Sequence, residues 1–495
     1  MESKEVIPPY LLMFSPFLSR ACRSLKMLWL LLVLLGVGTE AVTPGIKMKI
    51  TQKGLDYGKQ VGMEFLKSAL LQLAIPDFRG SYTVPLVGHV EYAVTGFQVN
   101  TINLGECLAA FAPSSRIKLS MGPTEAQVNG HWSVKVSSIH DSGTLKLSVG
   151  DMMLSVLIEM GWDGAGRLVV SPAGCSCHIG HLDVTFHGGA SWLYNIFTGV
   201  LENPIRQELD SKLCKEIQNA VEALERTLQT IPESSHISSL ADLDYSLVAA
   251  PLITEQSTEL DLKGEFYSRA GHKEAPAPPT PFSLWEQNDR MLLWGISDFV
   301  ANSASFVYYG AGALSWNLTD DKIPKKFPIH INTKIFKGLV PELEKRFPNT
   351  PMALQIFARL PPSFQAQPGT LQLLLPGAVQ AFILPNGTSP VPVFLLHVDI
   401  KASAQIFTSG TNIGASLNLT NFSLTLAHSA VGPFPLDKLE TLLNVTLKSA
   451  VLPRINRKLK KGFPLPTPPK TSFQDTVIKI QEGFLVIATD VQYGA

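Results

Sequence analysis

Two regions of this chain share one order of patterns, in which strand-like alternation is followed by a single long amphipathic helix. The helical patterns cover residues 191–231 and 433–461, and in both the apolar residues recur every three or four positions. That spacing places one broad apolar stripe along each helix. Beside twisted sheets, the duplicated helix predicts two elongated apolar tunnels, and this favours a lipid carrier over an enzyme.

The composition supports two large cores and shows no strong overall charge. Of the 495 residues, 45% are hydrophobic and only 17% are charged, and the formal net charge is +0. That much apolar material is sufficient for two cores. The whole molecule is therefore not a polycation, and no nucleic-acid partner is expected.

The N-terminal residues have the pattern of a secretory signal. Arg20, Arg23 and Lys26 precede an apolar run at 27–37, whose roughly 11 residues fall short of the about 20 needed to span a bilayer but suit a signal peptide. We expect residues 1–41 to be an N-terminal extension with a signal peptide. The mature protein is then secreted and extracellular, with storage in granules as a variant. A membrane anchor and a translation start at Met27 are the alternatives.

Sequons for N-glycosylation agree with secretion. They all lie in the second half, at Asn317, Asn386, Asn418, Asn421 and Asn444. The strand alternation slips by one residue near Thr420, which predicts a β-bulge that leaves both Asn418 and Asn421 facing outward. Asn386 follows a proline in a turn and is expected to be occupied most fully. Asn444 falls among apolar helix positions and is expected to be skipped.

Four cysteines remain once Cys22 leaves with the signal segment. A bridge from Cys175, expected just before a strand at 182–186, to Cys214 in the first long helix would clamp helix to sheet. Cys177 could compete for the same partner, and Cys107 is expected to be free. The protein is then a monomer, or a dimer linked through a spare cysteine.

Turn and breaker residues divide the rest of the chain. A short strand at 46–50 precedes an amphipathic helix that Pro76 ends, and strand-like segments then fill 82–186. Pro204 is expected to kink or split the first long helix. The proline-rich stretch at 275–281 predicts a semi-rigid linker between halves. In the second half, further helices are expected at 297–310 and 336–347.

Two short motifs resemble catalytic or metal sites but lack the partners that such sites need. Cys175, Cys177, His178 and His181 imitate zinc ligands, yet no second ligand pair stands out, so a disulfide with a spare thiol is favoured over a metal. The segment 186–189 (FHGG) is similar to the oxyanion loop of lipases, but the chain has no G-x-S-x-G nucleophile motif. No catalytic residue and no metal are therefore expected.

A basic cluster ends the last helix. It consists of Arg454, Arg457, Lys458, Lys460 and Lys461. These cations either complement the negative end of the helix dipole or bind an anionic lipid surface.

Several short segments, spread in order over nearly all of 42–495, resemble one family. They are 44–46 (PGI), 50–57 (ITQKGLDY), 75–78 (IPDF), 191–197 (SWLYNIF), 244–248 (DYSLV), 263–267 (KGEFY) and 461–467 (KGFPLPT). These segments closely resemble the bactericidal permeability-increasing protein / lipopolysaccharide-binding protein family.

The resemblance implies an α+β fold, a boomerang of two similar barrels joined by a central sheet. Each barrel is a twisted antiparallel sheet with long helices. Residues 42–262 would form the N-terminal lipid-binding barrel with part of the central sheet, 263–286 the proline-rich linker, and 287–495 the C-terminal lipid-binding barrel. The family disulfide maps onto Cys175 and Cys214.

The resemblance also implies an apolar pocket in each half that holds a phospholipid as a structural ligand, with no other cofactor. The first pocket is expected to be lined by Leu55, Val61, Phe65, Leu66 and Leu73 of the early helix and by Trp192, Ile196 and Phe197 of the long helix. The alternative is that these side chains fill a dry core.

The resemblance implies binding of lipopolysaccharide of the Gram-negative outer membrane, and in the bactericidal members of the family the tip loops of the first barrel are rich in lysine and arginine. The matching segments here, 81–90 and 131–141, contain Lys135 with His89, His131 and His140. Imidazoles gain charge only below about pH 6.5, so we expect modest affinity at neutral pH and stronger binding in acid. The chain is thus predicted to be an antibacterial lipid-binding protein of innate immunity. The alternatives are delivery of lipopolysaccharide to immune receptors and transfer of phospholipid or cholesteryl ester between lipoproteins.

Overall fold

Each half of the chain builds one curved antiparallel sheet, as the repeated pattern predicts. The computed structural model describes residues 42–72, 75–84, 88–190, 198–322, 330–385, 389–409, 412–464 and 470–494. The strands of the first half are β1 (Ile46–Thr51), β2 (Phe78–Val84), β3 (Gly88–Asn103), β4 (Cys107–Ala112), β5 (Arg116–Val136), β6 (Ile139–Trp162), β7 (Leu168–His187), β8 (Ser234–His236), β9 (Ala241–Asp244), β10 (Leu252–Ile253), β11 (Ser257–Leu262) and β12 (Glu265–Ser268). Those of the second half are β13 (Leu292–Ser297), β14 (Ser315–Leu318), β15 (Met352–Ala358), β16 (Ser363–Gln367), β17 (Thr370–Ile383), β18 (Val391–Ser409), β19 (Asn412–Ser429), β20 (Phe463–Pro464), β21 (Thr471–Gln481) and β22 (Phe484–Tyr493).

The helices are few and unequal in length. The α-helices are α1 (Gln52–Leu71), α2 (Thr198–Leu228), α3 (Asp298–Gly310), α4 (Pro341–Arg346), α5 (Asp437–Thr446) and α6 (Leu452–Leu459). Two 3-10 turns lie at Asp320–Lys322 and Thr333–Phe336, and a π-helical turn lies at Leu447–Val451.

The sheet of the first barrel has the strand order β2-β3-β5-β6-β7, with β4 also beside β5. Period-two alternation directs Leu145, Leu147 and Val149 of β6 to one face, where each is buried. We call this the concave face. Leu70 of α1 and Ile205 of α2 belong to the same core, so the two helices cover the concave face.

The first long helix is continuous through Pro204, so the proline does not split it, and a kink at this position stays a prediction. Proline removes one hydrogen bond from a helix interior. Directly after it, Ile205 and Leu209 are only 2% and 5% exposed. Burial of these two side chains offsets the lost bond. The predicted start of this helix, 191–197, lies outside the described residues.

A central sheet joins the halves. Its strand order is β10-β11-β1-β13-β22-β21, so β1 of the first half pairs directly with β13 of the second. Trp294 and Ile487 lie in its core. The strands β8, β9 and β12 form a small separate sheet, which places Glu265–Ser268 in a strand within the predicted linker. The proline-rich part at 275–281 forms no helix or strand.

The second barrel repeats the plan with the strand order β14-β15-β17-β18-β19-β20, and β16 lies beside β17. The predicted helix at 433–461 is α5, the π-helical turn and α6 in succession. The π-helical turn comes just before Pro453. A proline there cannot donate the hydrogen bond to the Ser449 carbonyl that an α-helix requires, and the wider turn accommodates it.

Of two other predictions for the second half, one differs from the structure and one is confirmed. The helix expected at 336–347 is shorter, because Pro341 starts the new helix α4 after the 3-10 turn. The β-bulge is confirmed, since Lys401 pairs with Asn421 and Ala402 pairs with Leu419, which leaves Thr420 without an opposite residue.

Candidate functional site

The predicted lipid pocket of the first barrel lies along α1 on the concave face. Leu66 packs against two buried clusters of this barrel, whereas Leu55 and Val61 are half-buried. The side chains of Phe65, Leu73, Trp192, Ile196 and Phe197 lie outside what the structure describes. The pocket of the first half therefore stays a prediction.

The second barrel presents accessible apolar side chains on its own concave face. Trp316 of β14 lies opposite Ile356 of β15, and the same row continues through Val379 to Leu396. Leu396 belongs to the buried core, so the whole row points to the concave side. Trp316 and Ile356 are nevertheless 52% and 38% exposed.

The helix of the second barrel adds exposed apolar residues of its own. Leu439 of α5 packs into the core, whereas Leu442 and Val445 are 51% and 58% exposed. The sequence predicted a second tunnel along the apolar stripe at 433–461, which includes Leu442, but it did not single out Val445, Trp316 or Ile356. Trp316 and Ile356 lie in two strands whose alternation could place both side chains on one face, but whether they stay accessible depends on packing.

The disulfide links the concave face of the first sheet to the helix that covers it. Cys175 and Cys214 are joined with a Cα–Cα distance of 5.7 Å across a sequence separation of 39. This is the pairing that the sequence predicts. Cys175 lies within β7, which begins at Leu168, and not before a strand as expected.

Cys177 lies on the same face of β7 as Cys175 and is half-buried and free, as is Cys107. Burial, together with the nearby Asp210 carboxylate of α2, raises the pKa of the Cys177 thiol to about 12. A neutral thiol is a poor nucleophile in disulfide exchange. Asp210 therefore disfavours attack by Cys177 on the adjacent disulfide.

The residues predicted for the tip lie on strands rather than on loops, which corrects the expectation. His89 is on β3, Lys135 and His131 are on β5, and His140 is at the start of β6. All four are exposed, and the strand alternation places them together on the convex face, opposite the buried core.

The cations of this tip are paired with carboxylates. Lys135 lies between Glu91 and His140 in the strand register, and its Nζ is 3.9 Å from the Glu91 carboxylate. Arg79 lies 3.6 Å from Asp77. Arg79, Lys135 and His140 line an open groove of about 590 Å³ together with the carboxylates Glu91 and Asp141. Its charge is balanced, so an anionic ligand must compete with carboxylates already in place.

The sequons differ in accessibility. Asn317, Asn418 and Asn421 are exposed, the last two as the bulge predicts. Asn444 is half-buried in α5, and its side-chain oxygen is shielded from solvent. Asn386 lies outside the described residues.

Within the described ranges, no three His, Cys, Asp or Glu side chains are grouped closely enough to hold a metal ion. Over the same ranges, every helix is too short or too polar to cross a membrane.

Comparison with known proteins covers both barrels. Residues 54–228 match the LBP / BPI / CETP family, N-terminal domain, and residues 235–493 match the C-terminal domain of the same family. A bactericidal permeability-increasing protein of Sebastes schlegelii is 36% identical over 94% of this chain and 98% of its own length. The lipopolysaccharide-binding protein of Homo sapiens is 34% identical over 94% of this chain and 97% of its own.

A solved structure agrees with these sequence matches. A crystal structure of lipopolysaccharide binding protein superposes with a TM-score of 0.62 at 29% identity and covers 92% of this chain and 100% of its own. The α+β architecture of two barrels and a central sheet is shared. This chain belongs to the LBP / BPI / CETP family.

Proposed function

We propose that the protein is a secreted, non-enzymatic lipid-binding protein of innate immunity that binds lipopolysaccharide and holds phospholipid in apolar pockets. The observation that carries the proposal is the accessible apolar row on the concave face of the second barrel, where Trp316 and Ile356 remain exposed. Acyl chains would cover such side chains at about 0.8 kcal/mol for each methylene removed from water. The names of the relatives, which include bactericidal permeability-increasing and lipopolysaccharide-binding proteins, support the ligand class.

Native mass spectrometry tests the pockets, with protein that is purified from the natural secretion that contains it. We expect co-purified phospholipid in the wild type. Ile356→Glu places a charge on the concave face and should remove the lipid of the second barrel. Thr425→Glu is the matched control, because Thr425 is exposed on the convex face of the same sheet. Equal lipid content in the wild type and both variants would contradict a pocket at Ile356.

Lipopolysaccharide binding requires a separate titration. Because Lys135 is paired with Glu91, we expect affinity that depends more on acyl chains than on salt. Nanomolar binding that weakens steeply with salt and survives Lys135→Ala would show that the binding surface is elsewhere.

The balanced charge of the tip favours lipid transfer as the second candidate. A transfer protein needs to touch a lipid surface and leave again, and strong cationic attraction would oppose departure. Transfer of labelled phospholipid between vesicles, measured beside the lipopolysaccharide titration, separates the two functions.

Both free cysteines of the described ranges are half-buried, which favours a monomer over a dimer linked through a spare cysteine.

A further inference from the structure

The last helix of the second barrel carries an exposed surface that is both cationic and apolar. We define the basic helix surface as Arg454, Arg457, Lys458, Lys460 and Lys461 with Val451 and Ile455. All five cations are exposed. Val451 and Ile455 are 36% and 39% exposed.

Within the described part of the chain, these cations have no carboxylate partners. In other parts of the protein, many lysines and arginines form ion pairs, with a carboxylate oxygen within 4.0 Å of the side-chain nitrogen. Among the residues that the structure describes, none of these ion pairs includes a cation of the basic helix surface. Arg454 donates one hydrogen bond to the Ala450 carbonyl, 2.9 Å away, which leaves its charge uncompensated. The whole chain has a formal net charge of +0, so this surface is a local concentration of positive charge.

The opposite side of the helix is fixed to the sheet. The Asn456 side chain accepts a hydrogen bond from the Leu417 amide at 2.8 Å and donates one to the Leu417 carbonyl at 3.0 Å. Asn412 also donates to the Lys461 carbonyl at 3.3 Å. At about 100° per residue, Arg454 and Lys458 then lie on the side of the helix that faces away from Asn456.

The apolar residues decide which kind of anion fits. Val451 and Ile455 are one helical turn apart, and both lie on the same side of Arg454 around the helix. A soluble polyanion would be bound by the cations alone and would gain nothing from these two side chains. A bilayer with anionic headgroups satisfies both, because cations bind the phosphates while apolar side chains enter the headgroup–acyl boundary.

We propose that the basic helix surface docks the second barrel onto an anionic lipid bilayer. This contact is additional to the lipid pockets and to the tip, which lies on the first barrel. The short helix would lie in the plane of the bilayer surface, with the side chains of Val451 and Ile455 directed into the bilayer.

The experiment is vesicle flotation with the full secreted protein and no lipopolysaccharide. One set of vesicles contains phosphatidylcholine alone and the other contains added phosphatidylglycerol. We expect binding to the anionic set that falls with salt. Each cation lost should lower the partition coefficient by about fivefold, and Arg457→Glu/Lys458→Glu should therefore nearly abolish binding.

Two further variants make the result specific. Lys334→Glu/Lys337→Glu is the matched control, since both lysines are exposed in the same half and outside the surface. Ile455→Ser should weaken vesicle binding but leave binding to soluble heparin unchanged. Circular dichroism and the melting temperature establish that each variant is folded.

The proposal is overturned if Arg457→Glu/Lys458→Glu binds anionic vesicles like the wild type. It is also overturned if Ile455→Ser leaves vesicle binding intact, because the surface would then recognise a soluble polyanion. The lipid that co-purifies in the apolar pockets should be unchanged in the native mass spectra of these variants, so failure here is distinct from failure of the proposed pockets.

Discussion

Lys135 and Glu91 lie opposite each other on neighbouring strands of the first barrel, and their side chains form an ion pair at 3.9 Å. The side chains are 51% and 59% exposed, so the pair contributes little to stability, about 0–1 kcal/mol. Its importance lies in binding, because the carboxylate offsets the charge that would attract lipid phosphates.

We predict that Glu91→Gln strengthens lipopolysaccharide binding. Removing the carboxylate should raise the affinity by up to about fivefold at low salt, and the gain should shrink at high salt. Titration of lipopolysaccharide at two salt concentrations checks this. Glu125→Gln, an exposed position elsewhere on β5, is the control and should have no effect. Unchanged or weaker binding by Glu91→Gln would place the lipid phosphates elsewhere.

The disulfide should contribute strongly to stability. For a closed loop with a separation of 39, the chain-entropy estimate is about 4 kcal/mol. We expect Cys214→Ser to lower the melting temperature and to leave Cys175 open to alkylation, whereas Cys107→Ser should do neither. Peptide mapping that found Cys107 in the main disulfide would refute the assignment.

Asp210 should control the reactivity of Cys177. Burial and this carboxylate raise the thiol pKa to about 12, so the thiolate is scarce at mildly alkaline pH. Asp210→Asn removes the negative charge and should lower the pKa, which speeds alkylation of Cys177 and promotes disulfide exchange. Mass-spectrometric alkylation rates measure the effect, with Glu222→Gln on the exposed side of α2 as control. Equal rates in Asp210→Asn and the wild type would mean that burial alone protects the thiol.

Asp490 should make stability sensitive to acid. Its carboxylate accepts hydrogen bonds from Lys53 at 2.8 Å, Arg290 at 3.1 Å and the Met291 amide at 3.0 Å. Burial alone would raise the pKa of Asp490, but these partners outweigh it and hold the pKa below the ordinary value. The folded state therefore gains stability above the ordinary carboxyl pKa of about 3.9, and loses it as pH falls through the lower folded value.

The corresponding variant is Asp490→Asn. At neutral pH it should lower the free energy of unfolding by roughly 1–3 kcal/mol, because charged hydrogen bonds are lost. The loss should shrink toward low pH, where the wild-type carboxylate is itself protonated. Denaturant unfolding at several pH values measures both effects, and Asp321→Asn, an exposed carboxylate, is the control. A destabilisation that is the same at every pH would exclude this electrostatic origin.

Glycan occupancy should follow accessibility. Asn317, Asn418 and Asn421 are exposed, whereas Asn444 lies half-buried within α5. The half-buried Asn444 side chain gives the glycosylating enzyme poor access, so this sequon should be skipped. Asn418 and Asn421 are three residues apart and should rarely be modified together, and Asn386 should be occupied most fully. Site-resolved glycopeptide mass spectrometry tests each site, and full occupancy of Asn444 would be the contrary result.

Much of the fold was predictable because it is written in local periodicity. Alternation indicated the strands of both barrels, spacing of three and four indicated the helices, and the slip at Thr420 located the bulge. The effects of proline were harder to predict. Pro204 sits inside an unbroken helix, while a π-helical turn precedes Pro453, because the outcome depends on how much burial the neighbouring residues gain.

The order of elements, the apolar face of each one and the resemblance to a family could be read from the amino-acid sequence, since each of these depends on residues near one another in the chain. Three features needed the folded structure: Glu91 neutralises Lys135, Asp210 lies beside Cys177, and Trp316 stays accessible on a concave face. Each of these depends on strand register or on how closely a helix covers a sheet. Register and coverage are set by packing between distant segments, and the periodicity of one segment contains no information about its partner.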